Sequence, residues 1–153
     1  MKMIIHHHLT LMDGRKLPLF SKWFTSPNPD VVLFSISMAA HFRQVTTVPQ
    51  LIALLKHKNA RIVSQAIETL GRLETEAVAD SLLSISGRFW TNEKISAQIV
   101  RSLGQTAYKE EHTRALTKYI SHPGHTVRMQ ALKALVRNGM KPDDIINTVE
   151  LSE

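Results

Sequence analysis

Cysteine is absent, so neither disulfides nor thiolate metal sites are available, and the redox compartment leaves no mark on the chain. Aromatic residues make up only 6% of the 153 residues. The six glycines are scattered at expected helix ends and nowhere form a phosphate-cradling loop. Long apolar runs are missing too. The longest near-apolar stretch, Val31 to Ala40, is about half of what a membrane-spanning helix needs and reads as a buried helix. The opening MKMIIHHH is broken by histidines too early for the apolar segment of a secretory signal, which leaves the cytoplasm as the default compartment.

Catalytic constellations are equally scarce. There is no His-Glu-x-x-His or Cys/His ligand set, and no Gly-x-Ser-x-Gly nucleophile elbow. The nearest useful histidine pair, His122 and His125, falls in a turn, and His122 has an equivalent in His57, which points to a role at a helix end. Glu74, Glu76, Asp80, Glu110 and Glu111 lie near helix starts, where the helix dipole favours acids without any catalytic purpose. His6, His7 and His8 point about 100° apart on a helix and cannot converge on one metal. They read as native, non-functional histidines, with a tag remnant or metal chemistry as the alternatives. The expectation is no enzyme, no cofactor and no metal.

What is present is a repeating pattern. Val48 to Leu73 reads as two short amphipathic helices joined by a polar turn. Pro49 suits a first turn, and Thr46 or Thr47 can cap it. Leu51, Ile52, Leu54 and Leu55 form one apolar face. The second helix carries Ile62, Val63, Ala66, Ile67, Leu70 and Leu73 on an arc of roughly 140°, with Arg61, Gln65, Glu68 and Arg72 opposite. Ile62 recurs as Val31, Ile95 and Val127, at steps of 31, 33 and 32 residues. Ile67 falls on Ile36, Val100 and Leu132; Leu70 on Ala39, Leu103 and Leu135; Gly71 on Ala40, Gly104 and Val136. The turns are polar or helix-breaking each time: TSPNPD, KHKNAR, WTNEK, SHPGHT. Agreement of spacing, helix type and apolar register marks an internal repeat.

The segments IVSQAIETLGRLETEAVADSLLSI, ISAQIVRSLGQTAYKEEHTRALTKYI and VRMQALKALVRNG resemble HEAT-like repeats, in particular the short variety of phycobilisome-lyase-type proteins. The resemblance covers roughly Leu17 to Gly139. It implies an all-α fold: a right-handed alpha-alpha superhelix, or solenoid, of about four helical hairpins plus terminal capping helices. We expect one domain over residues 1–153, with repeats at about 16–43, 47–73, 76–106 and 110–138 and capping helices at 3–12 and 142–150. Asp30 is expected to cap the second helix of repeat one, after a first helix from Leu17 to Phe24. Phe20, Trp23 and Phe24 read as core, with an aromatic anchor for a partner as the alternative, and Phe89-Trp90 as a plug for the third turn. In register, Met3 to Met12 is a second helix without its first. The expectation is a solenoid edge, either a natural cap or the point where a larger protein was cut.

Net charge is +6, from 19 Lys and Arg against 13 Asp and Glu, with an isoelectric point of about 9.8. This permits nucleic acid, an acidic lipid surface or an acidic protein as partner, although a mildly basic solvated surface gives the same number. In a solenoid the second helices line one face. Register places Gln65, Gln98 and Gln130 in one row, with Phe34 at its end. A second row is Ser37, Glu68, Arg101 and Lys133, and a third is His41, Arg72, Gln105 and Arg137, all expected to face solvent. Solvated helix backs need such residues anyway. As a site, amides and guanidinium groups suit an extended peptide or carboxylates. The function expected is a protein-interaction scaffold for a protein or peptide, with an acidic one as a candidate. Nucleic-acid binding on a basic face, and a regulatory or lyase-like HEAT module, are the alternatives.

Overall fold

The computed structural model describes residues 20–73, 75–106 and 109–150. The expected helix at 3–12 and the run His6–His8 lie outside them. Among the described residues there is no strand.

Asparagine opens three of the second helices. Helix α1 (Pro29–His41) starts with Pro29 in its first turn, and Asn28 Oδ1 accepts the Asp30 N–H at 2.9 Å. The cap is therefore Asn28 and not Asp30. The helix begins where proline needs no N–H partner, and Asp30 sits in the first turn, facing the positive end of the dipole. Helix α2 (Val48–Leu54) is the first helix of repeat two. Helix α3 (Ala60–Leu73) is opened by Asn59, whose Oδ1 accepts the Arg61 N–H at 2.9 Å. Helix α4 (Glu76–Ser86) follows, and the 3-10 turn Gly87–Phe89 ends it. Helix α5 (Glu93–Thr106) is capped by Asn92, whose Oδ1 accepts from Ile95 N–H at 3.1 Å. Then come α6 (Glu110–Thr117), α7 (His125–Arg137) and α8 (Pro142–Glu150).

Two local expectations change. Thr47 does not cap α2. Its hydroxyl donates to the Gln44 carbonyl at 2.7 Å, because the 3-10 turn Val45–Thr47 runs straight into the helix with Thr47 already helical. A capping hydroxyl reaches forward from an extended backbone. The described part of the first helix of repeat one is a 3-10 segment, Phe20–Thr25. The Ser26 N–H reaches the Trp23 carbonyl, and Pro27 and Pro29 beyond it supply no donors to continue a helix.

First helices (the 3-10 segment, α2, α4, α6, α8) alternate with second helices (α1, α3, α5, α7). Each second helix packs on its own first helix and on the second helices next to it in sequence. Contacts that run only between neighbours are those of an α-solenoid. The repeat register is visible in burial. Ala39, Leu70, Leu103 and Leu135 are fully buried, as are Ile62 and Val127, while Val31 at the first repeat is half-buried. The core runs along the stack, from Phe24, Ile36 and Leu51 through Ile67 and Leu82 to Leu116 and Leu135.

Successive second helices approach closely at two glycines. A Cβ at Gly71 would lie 2.6 Å from Ser102 Oγ on α5. At Gly104 it would overlap Ala134 Cβ on α7 and lie 3.1 Å from Ala134 Cα. Polar ties use the same proximity. Ser102 Oγ donates to the Ile67 carbonyl at 3.1 Å, and Asn138 Nδ2 donates to the Gly104 carbonyl at 3.2 Å. Gly139 ends α7 with φ +86°, its N–H on Val136 and the Met140 N–H on Leu135, a left-handed closure that favours glycine.

These contacts separate two glycines that look alike in sequence. Gly104→Ala is expected to lower stability in urea unfolding by about 1–3 kcal/mol through overpacking, despite the better helix propensity of alanine. Gly87→Ala, at φ −61° and ψ −34° with nothing within 4 Å of the new Cβ, is expected to be neutral or to gain up to about 1 kcal/mol. Equal stability of the two variants would contradict the close approach of α5 and α7.

Candidate interaction face

The outward sides of α1, α3, α5 and α7 carry the three polar rows, and the rows differ in what they do. Gln65, Gln98 and Gln130 are half-buried. Gln65 Nε2 donates to Ser37 Oγ on α1 at 3.2 Å, and Gln98 Oε1 accepts from Ser64 Oγ on α3 at 2.6 Å. Two of the three amides thus stitch adjacent helices together. Glu68, Arg101 and Lys133 of the second row are exposed, as are His41, Arg72 and Arg137 of the third.

Between α1 and α3 the face opens into a cleft of about 370 Å³. Its walls are Ser37, His41, Gln65, Glu68 and Arg72, and buried Met38 and Thr69 lie beneath. Ala40, also in the lining, stands at the register of Gly71 and Gly104, so no bulky side chain fills the space. Glu68 and Arg72 pair at 2.7 Å one helical turn apart. Such exposed pairs contribute about 0.3–0.5 kcal/mol, so a ligand carboxylate can compete for Arg72 at small cost. Arg43 Nη2 donates to the Arg72 carbonyl at 3.2 Å and brings a further cation to that end of α3. Arg43 adopts φ +47°, a left-handed conformation that costs a non-glycine residue about 1–2 kcal/mol.

Toward α7 the face is cationic. Lys94, Arg101, Lys133 and Arg137 are exposed and have no carboxylate partner among the described residues. Helix α7 contains no acid, and the acid of α5, Glu93, is engaged elsewhere. Gly124 precedes α7 and has no side chain to cap it. Glu93 Oε1 accepts the Thr126 N–H at 2.9 Å in its place, across a repeat boundary. That backbone bond, with help from the Thr126 hydroxyl, holds the Glu93 carboxyl below the ordinary carboxylate range.

The histidines of the turns are structural. His57 Nδ1 accepts the Asn59 N–H at 3.0 Å, and His122 Nδ1 accepts the Gly124 N–H at 2.9 Å. With Nδ1 an acceptor, His122 carries its hydrogen on Nε2 and donates it to the Trp90 carbonyl at 2.8 Å. Both ring nitrogens of His122 are thereby used. Trp90 packs on the His122 and Tyr119 rings at 4.4 and 5.3 Å, and burial raises the Tyr119 hydroxyl above its usual pKa.

One tie was not legible from helix-start reasoning. Asp80 Oδ1 lies 2.9 Å from Nε2 of buried His112 on α6, with Lys109 Nζ at 3.7 Å from its other oxygen. The His112 hydrogen bond, followed by the Lys109 charge, lowers the Asp80 pKa. The available signal was the spacing, 32 residues, which equals a repeat step. Among the described residues no group of three or more His, Asp or Glu could hold a metal, and no helix is long and apolar enough to cross a membrane.

Hairpins stacked in line, with second helices against second helices, define an α-solenoid. Residues 17–88 match the family of HEAT repeats. That match and the all-helical stack fit a HEAT-like repeat protein, and the hairpins beyond residue 88 continue the same packing. No curated protein matches it. HEAT repeats are commonly protein-interaction scaffolds and generally non-catalytic.

The Glu93 cap carries a pH signature. Its folded pKa lies below the ordinary value of 4.5, so its contribution is complete above that value and lost as pH falls through the folded one. Glu93→Ala is expected to melt at a lower temperature than the parent at pH 7, with the gap closing as the pH falls below 4.5. Melting curves that stay equally separated from neutral to acid pH would show that the carboxylate is not the cap.

Proposed function

We propose that this protein is a non-catalytic interaction scaffold that holds an extended, acidic protein segment along its second helices. The partner-binding residues in this reading are Gln65, Glu68, Arg72, Gln98, Arg101, Gln130, Lys133 and Arg137. The observation that carries it is the pairing of a cleft at one end of the face with unpaired cations at the other. The cleft between α1 and α3 offers polar walls over buried Met38 and Thr69. Arg101, Lys133 and Arg137 then continue the face without a carboxylate partner among the described residues. The two bonded amides, Gln65 and Gln98, keep the helix spacing fixed, so the surface is preformed and little ordering cost falls on binding.

A basic face also suits nucleic acid, and Lys94, Arg101, Lys133 and Arg137 on α5 and α7 favour that second reading. The two differ in salt response: phosphate-driven binding weakens steeply and linearly in log–log form as salt rises.

The triple variant Arg72→Glu, Arg101→Glu, Lys133→Glu is expected to fold with stability within about 0.5 kcal/mol of the parent per site, since all three positions are exposed. It is expected to lose the proteins that co-purify with the tagged parent. Retention of every partner would overturn the role of this face. Binding of a fluorescent oligonucleotide that vanishes with rising salt, with no protein partner affected, would move the reading to nucleic acid.

A further inference from the structure

The outer flank of α7 departs from the helices before it. On α3, the side that receives the next second helix carries Ser64, Ile67 and Gly71; on α5 it carries Ala97, Val100 and Gly104. Ser64 bonds to Gln98, Gly71 abuts Ser102, and Gly104 abuts Ala134. The same register on α7 is Met129, Leu132 and Val136, three and seven residues apart and so on one face. No second helix lies beyond α7 among the described residues. Val136 is 56% exposed and Met129 39%, and Leu132 is half-buried. Helix α8 packs on α7 and buries Ile145, yet it leaves this stripe open.

Charge says what would cover the stripe. Lys133 lies within it, and Arg137 and Lys141 lie at its end; all three are exposed without a carboxylate partner among the described residues. Two copies paired through α7 would set these cations against each other, because α7 has no acid to offer. We propose that this flank docks an amphipathic helix of a partner protein whose apolar stripe is bordered by carboxylates. The docked helix continues the packing by which α1, α3, α5 and α7 already meet. Val136 stands where Gly71 and Gly104 stand in the interior and projects as a knob, so the incoming helix carries Ala or Gly opposite it. This surface is separate from the α1–α3 cleft, although it shares Lys133 and Arg137 with the cationic end of the proposed face; Met129 and Val136 belong to the flank alone.

Two synthetic helical peptides test the proposal with the full chain. They share one Leu/Ala stripe, flanked by Glu in the first and by Lys in the second, and each is titrated onto isotopically labelled protein by NMR. The Glu peptide is expected to shift amide signals of α7 and to bind roughly tenfold more tightly than the Lys peptide, with the advantage shrinking as salt rises. Met129→Glu and Val136→Glu, each at an exposed and therefore tolerant position, should weaken the Glu peptide by roughly tenfold or more. Lys133→Glu, which leaves Arg137 and Lys141 in place, should narrow the preference between the peptides several-fold, and Lys118→Glu on the other layer should change nothing. Absence of α7 shifts, equal binding of the two peptides, or full binding by Met129→Glu would each overturn the proposal. A parent dimer that Met129→Glu dissolves would also overturn it, by assigning the flank to a second copy.

Discussion

Two absent side chains set the distance between α3, α5 and α7. At Gly71 and Gly104 the backbone of one helix meets side chains of the next, with no room for a Cβ. That proximity is what lets Ser102 reach the Ile67 carbonyl and Asn138 reach the Gly104 carbonyl. Between α3 and α5 it also sets the pitch at which Gln98 bridges to Ser64. Helices held further apart would lose these bonds and open the apolar row of Leu70, Leu103 and Leu135 to water. Surface function follows from the same spacing. Polar rows become a continuous face only because their helices are side by side at a repeated interval.

Much of this was readable from the chain. Apolar positions recurring about every 32 residues located every second helix, since burial has a period and burial decides sequence at those positions. The polar rows were placed by the same register. What escaped was anything that depends on one side chain reaching into another repeat. Asp80 looked like an ordinary acid near a helix start, and its bond to buried His112 needed the stacking of α4 on α6. Asp30 and Thr47 looked like caps, and the decision fell to the extended backbone of Asn28 in the first case and the helical backbone of Thr47 itself in the second. The cleft was invisible because it arises from a small residue, Ala40, where hydrophobic patterning registers only another apolar position.

The amides show how a surface row can be misjudged by polarity alone. Gln65 and Gln98 belong by pattern with solvent, yet each gives one side of its group to a serine on an adjacent helix. Half-buried amides of this kind orient the rows around them. Among the described residues the charged side chains of the other two rows have no such ties to a neighbouring helix, and Glu68 and Arg72 pair within one helix.

The carboxylate of Glu93 at the start of α7 has a consequence for the third and fourth hairpins. A helix whose first turn is closed by a residue 33 positions upstream lacks that closure until its predecessor has docked. Glycine at Gly124 offers nothing local in its place. The two hairpins are thereby coupled through a single carboxylate: loosening of the earlier one leaves the first turn of α7 open.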